Sequence, residues 1–121
     1  MPIHPSFETV TLDALQAMPG GAIDDLPYGV VGLDPAGIVE VYNATEARMA
    51  GLDRESVLGA AFFDSVAQCM NNFMVAQRFE DEPRIDDIVP FVLTLRMRPT
   101  KVRLRLLAEP AAPRRYILIE R

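Results

Sequence analysis

The chain has 121 residues, half of them hydrophobic and 24% charged, with a net charge of −5 and one cysteine. That length supports one domain with one core and one small-molecule pocket, and the composition is globular and not disordered. The acidic balance argues against nucleic acid as a partner, because phosphate binding needs a basic face.

Residues 11–18 place Leu12, Leu15 and Met18 at helical spacing, and Pro19-Gly20-Gly21 closes this short cap helix. Two apolar runs, 29–33 and 38–42, flank Asp34-Pro35-Ala36-Gly37, a turn with proline early and glycine late, and read as a β-hairpin. A helix over 43–50 follows at once, with Asn43 as its N-cap. Residues 53–58 open on a capping Asp53 and stop at Gly59, a second short helix. The stretch 62–69 holds Phe62, Phe63, small residues and the lone thiol, and reads as a tight turn packed on the core. A longer helix is expected over 72–82, with Phe73, Val75, Ala76 and Phe79 inward and Pro83 at its end.

The remainder reads as strand. One strand covers 87–97. In the next, Val102, Leu104 and Leu106 alternate with Arg103 and Arg105, the period-two pattern of a half-exposed strand. After the turn Glu109-Pro110-Ala111-Ala112-Pro113 a final strand covers 116–120. The basic residues, nearly all arginine, crowd between Arg96 and Arg121. We read them as a solvated strand face, with a docking surface for an acidic partner as the second reading. The order, a hairpin, short helices and a three-strand meander, predicts one five-stranded antiparallel sheet with helices on one face, an α+β layout. It occupies one domain over 1–121, with an N-terminal helical cap over 1–27 and a core over 28–121.

Single residues say little about function. A lone cysteine is most often an inert buried residue. A helical glutamate is usually solvated, and a tyrosine at a strand end is usually core. There is no histidine pair for a metal site or a catalytic triad, since His4 is the only histidine. Gly29-Val30-Val31-Gly32 is not a phosphate loop, for it lacks the later glycine and a following helix. No paired acid and base suggests an enzyme. Met49, Met70, Met74 and Met97 read as core or pocket wall.

The combination is more specific. The hairpin Leu33-Asp34-Pro35-Ala36-Gly37-Ile38-Val39 and the helix Asp53-Arg54-Glu55-Ser56-Val57-Leu58-Gly59 resemble the opening of a PAS fold. The set Tyr42-Asn43-Ala44-Thr45-Glu46, Gly59, Phe62-Phe63, Val66-Ala67 and Cys69 resembles the photoactive yellow protein family in residue type and spacing. Met97-Arg98-Pro99-Thr100-Lys101-Val102 is similar to that family's Met-x-Pro-Thr-Lys-Val stretch. The resemblance runs nearly the full length, with a gap of a few residues before Asp87.

What the resemblance implies is a blue-light photoreceptor carrying p-coumaric acid (4-hydroxycinnamic acid) as a thioester on Cys69. Tyr42 and Glu46 would hydrogen-bond its buried phenolate, with Ala50, Leu52, Phe62 and Met97 around it. Isomerisation, proton transfer from Glu46 and partial unfolding near the cap would follow illumination. The residue types suit that role. A buried phenolate is costly unless it accepts hydrogen bonds, and a phenol and a neutral carboxylic acid both donate. A glutamic acid stays neutral when burial and a nearby anion raise its pKa. The alternative is a PAS module without the chromophore, acting as a small-ligand sensor or interaction domain.

The chain departs from the family near the expected pocket. Ala50 stands where the family has threonine, Leu52 where it has a lid arginine, Gln68 where it has proline and Leu95 where it has tyrosine. Arg48, Arg96 and Arg98 are candidates to supply the missing positive charge. The apolar runs are too short to span a bilayer, residues 1–7 have no signal-peptide pattern, and one thiol forms no internal disulfide. A cytoplasmic protein is therefore expected. The chain ends just after the last strand, so signalling is expected to pass through an unknown downstream partner or a homodimer.

Overall fold

A computed structural model describes residues 4–94 and 98–121. Five strands form one antiparallel sheet: β1 (Gly29–Leu33), β2 (Val39–Tyr42), β3 (Ile85–Leu93), β4 (Thr100–Ala108) and β5 (Arg115–Glu120), in the spatial order β2-β1-β5-β4-β3. The β1–β2 turn is made locally. Asp34 Oδ1 accepts from the amides of Ala36 (2.8 Å) and Ile38 (2.9 Å), and Gly37 takes a φ of 85° that a side chain would oppose.

The helices are α1 (Leu12–Ala17), α2 (Gly20–Asp24), α3 (Ala44–Ala50), α4 (Arg54–Val57) and α5 (Ala76–Asp81), with a π-helical turn at Phe62–Val66 and a 3-10 turn at Gln68–Met70. Thr11 caps α1 and Asn43 caps α3 through their side chains. Among the described residues, no helix is long and apolar enough to cross a membrane.

The central strands are buried on both faces, and their parity assigns residues to two clusters. Val31, Leu33, Leu104, Leu106, Ile117 and Ile119 face the helices that follow β2. Val30, Leu107, Tyr116 and Leu118 face the N-terminal segment, where Phe7, Val10, Leu12, Leu15, Ile23 and Leu26 cover them. The sheet is thus the middle layer, with the short helices on one side and the N-terminal cap on the other.

Three sequence expectations change. Pro19-Gly20-Gly21 stops α1 as expected, but Pro19 is also the N-cap residue of α2. The helix expected over 72–82 is only α5. Asn72 Oδ1 accepts from the amides of Met74 (3.0 Å) and Val75 (3.2 Å), holding 72–75 as a turn that leaves Phe73 79% exposed. The arginines of β4 are a solvated face only in part, since the Arg103 side chain is 43% exposed and Arg105 is not. Arg105 is buried under the cap, and Arg103 pairs with Glu8 and Glu120 while stacking 5.0 Å from the Phe7 ring.

Candidate functional site

Tyr42 ends β2 and Glu46 lies in the first turns of α3. Both are buried, at 3% and 2% exposure. Their placement depends on Asn43 between them. Its Oδ1 accepts from the amides of Val30 (2.9 Å) and Glu46 (3.0 Å), and its Nδ2 donates to the carbonyls of Ile23 (2.9 Å) and Tyr28 (3.0 Å). Both donors and both acceptor positions of a buried amide are used. Thr45 Oγ1 donates to the Leu26 carbonyl (2.6 Å), and Asp24 Oδ1 accepts from the Ala44 amide (2.9 Å). The start of α3 is therefore tied to the cap segment and to β1 at once.

Tyr42 belongs to the apolar cluster on the helical face, with Phe62, Val57, Ala67, Met70 and Phe79. Leu52 and the half-buried Cys69 pack against the same cluster. Phe62 meets Phe63 edge-on at 5.3 Å between ring centroids. Burial pushes the Tyr42 phenol well above its ordinary pKa, the nearby Glu46 carboxylate pushes it further, and Arg121 opposes them. Cys69 lies in the 3-10 turn, and its carbonyl accepts from Asn72 Nδ2 (3.0 Å).

Arg121, just beyond β5, was not among the candidates. It follows Ile117 and Ile119 at strand spacing and so points to the helical face, where it donates to Glu46 Oε1 (2.7 Å) and Oε2 (3.1 Å). The Arg121 side chain is only 14% exposed. Extending the strand alternation one step past Glu120 is the signal that would have found it. Burial pushes the Glu46 carboxyl above its ordinary pKa, and the hydrogen bonds and charge of Arg121 draw it back. Opposite Glu46, β1 presents Gly29, which pairs with Ile119.

The other candidates divide as follows. Ala50 is buried at the end of α3 and shares a crevice with Arg121, Arg48 and Arg98. Leu52 packs on the apolar cluster. Met97, Arg96 and Leu95 lie outside the described residues. The described residues contain no group of three or more His, Cys, Asp or Glu side chains able to hold a metal ion.

The sheet order, the cap behind it and the buried polar residues at the β2–α3 junction define a PAS sensory domain. The PAS domain of an HTR-like protein from Haloarcula marismortui shares this fold at 17% identity, with a TM-score of 0.61 over 90% of this chain and 96% of that one. A more specific likeness is to the photoactive yellow protein domain of the sensor histidine kinase Ppr from Rhodospirillum centenum. The TM-score is 0.82 at 30% identity, covering 90% of this chain and 98% of that domain. The photoactive yellow protein of Halochromatium salexigens is 31% identical over 97 residues, 78% of each chain. The chain belongs to the photoactive yellow protein family. No protein-family model matches it.

Proposed function

We propose that this PAS sensory domain is a blue-light photoreceptor carrying 4-hydroxycinnamic acid as a thioester on Cys69. The observation that carries the reading is the shared cluster: the chain's one thiol and the buried phenol of Tyr42 pack on the same apolar face. The residues fit that group chemically. A thiol at the margin can be acylated, Phe62 and Leu52 supply apolar wall, and the hydroxyl of the buried Tyr42 side chain can donate to an oxyanion. When bound, the group supplies the visible absorption and the double bond that light isomerises.

The chain's own residues supply orientation and proton control. Tyr42 donates from the end of β2. Asn43 fixes the helix on which Glu46 rides, and it binds the cap segment through Ile23 and Tyr28. A charge change at Glu46 therefore reaches the cap through one amide side chain. The histidine-kinase origin of the Rhodospirillum centenum domain supports a signalling partner as the recipient.

Purified protein incubated with the activated anhydride of 4-hydroxycinnamic acid should gain the mass of one coumaroyl group and a visible or near-ultraviolet band. Cys69→Ser should gain neither. Wild type that stays colourless and unmodified, under conditions that load a known family member, would make the chain a PAS module of another kind.

A further inference from the structure

Among the described residues, a small set of charges lies around Glu46 on the helical face of the sheet. Arg121 binds it from beyond β5, and Tyr42 faces it from β2. β1 contributes only Gly29 there. Asp24 of α2 is bonded to Arg54 (3.0 Å) and the Ala44 amide. Arg48 and Arg98 border the crevice beside Arg121. A guanidinium does not give up its proton, and two N–H donors on two oxygens is the geometry of an ionised carboxylate. The Glu46–Arg121 pair therefore sums to zero charge.

Arg48 and Arg98 are exposed to solvent, so a further buried anion would leave the buried Glu46–Arg121 pair one negative charge in excess. In a low-dielectric interior the least costly relief is a proton on the carboxylate. We propose that Arg121 is the counter-ion of the sensory site: it pairs with Glu46 whenever that carboxyl is ionised, so that a phenolate donated to by Tyr42 is accommodated together with one proton, which binds Glu46. This rests on the reading of the site as a phenolate pocket. The balance is simple. One proton from solvent converts the carboxylate to the acid, Arg121 stays charged, and its charge then offsets the phenolate. When Glu46 later gives that proton up, Arg121 is in place to receive the carboxylate. Arg121 is thus a positioning residue for the proton.

Isotope-edited infrared or carbon NMR spectra of ¹³C-glutamate-labelled protein test this, with Glu46→Gln assigning the signal. Before loading, Glu46 should be ionised at neutral pH in wild type and in Arg121→Lys, and protonated in Arg121→Met. After loading with the coumaroyl anhydride, wild-type Glu46 should be protonated. The pH midpoint of the phenolate band should rise by at least one unit in Arg121→Met and return towards wild type in Arg121→Lys. Glu46 protonated in the unloaded wild type, or ionised in unloaded Arg121→Met, would overturn the ion pair. Glu46 still ionised beside a bound phenolate would overturn the proton linkage. A chain that refuses the chromophore defeats the photoreceptor reading alone, because the unloaded spectra still decide the pairing.

Discussion

Gly29 and Glu46 are matched across the β1–α3 interface: a β-carbon on Gly29 would stand 2.1 Å from Glu46 Oε1 and 3.0 Å from its carboxyl carbon. The glycine makes room for the carboxylate in the position from which it meets Arg121. Gly29→Ala should therefore act through the ion pair. We expect a loss of about 1–3 kcal/mol, the usual cost of overpacking a filled core. In a Glu46→Ala background, where the carboxylate is gone, the same change should be nearly neutral. Urea unfolding of the four proteins measures the coupling. An equal loss in both backgrounds would show that Gly29 serves the backbone and not Glu46.

The cap is held to the sheet by polar as well as apolar contacts, and Arg105 is the buried one. Its guanidinium donates to the carbonyls of Phe7 (3.0 Å) and Val10 (2.5 Å) and to the Asp86 carboxylate (2.9 Å). Asp86 is 63% exposed, so that ion pair contributes little. The two carbonyls are buried, and hydrogen bonds to charged groups contribute about 1.5–3 kcal/mol each. Arg105→Met should cost ~2–3 kcal/mol, with part of the loss offset by the apolar side chain. Asp86→Asn should cost less than 1 kcal/mol. Hydrogen exchange should speed up over residues 7–26 in Arg105→Met before it does in α5. Uniform acceleration through the chain would rule out a selective hold on the cap.

Asn43 makes a sharper prediction, because its four side-chain bonds join three parts of the chain. Asn43→Ala removes the α3 cap, worth about 0.5–2 kcal/mol. It also leaves the Ile23 and Tyr28 carbonyls and the Val30 amide without this partner, at about 1–3 kcal/mol for each group that water cannot reach. A total loss above 3 kcal/mol is expected. Asn43→Asp keeps the acceptor for Glu46 and Val30 but turns a negative charge on the two carbonyls. It should retain α3 and loosen the cap. Amide NMR distinguishes the two, and a melted α3 in Asn43→Asp would sink the assignment.

These relationships also mark how far the sequence was legible. The hairpin was readable because Asp34 and Gly37 specify their turn locally. The cap of α3 was readable because Asn43 precedes a helical run. Phe73 was misplaced because Asn72 can cap a turn as well as enter a helix, and the spacing is the same for both. The alternation in β4 correctly put Arg103 and Arg105 on one face. What covers that face is decided by Phe7 and Val10, nearly a hundred residues earlier. At the site, Tyr42, Phe62 and Cys69 share a cluster that their sequence spacing alone does not define. Arg121 escaped notice because no local pattern connects it to Glu46, seventy-five positions away.

The pH dependence of stability in the unloaded protein follows from the same pair. Burial raises the Glu46 carboxyl above its ordinary value of 4.5, and Arg121 lowers it part of the way back. Between the unfolded and folded values the native state binds the extra proton, so stability falls as pH rises through that window. In wild type the attraction of Arg121 keeps the window narrow. Arg121→Met leaves only burial, so the upper edge moves past neutral pH and the total loss grows by about 1.4 kcal/mol for each unit of added shift. Near pH 4, where Glu46 is largely protonated in either state, the variant should lie close to wild type. Above neutral pH it should be weaker by ~3–5 kcal/mol, the usual cost of stranding one half of a buried pair. Adding Glu46→Gln should remove this pH dependence and restore most of the loss. Urea midpoints from pH 4 to 9 give the curves. A deficit of Arg121→Met that is the same at every pH would mean that the side chain is needed for packing and not for its charge.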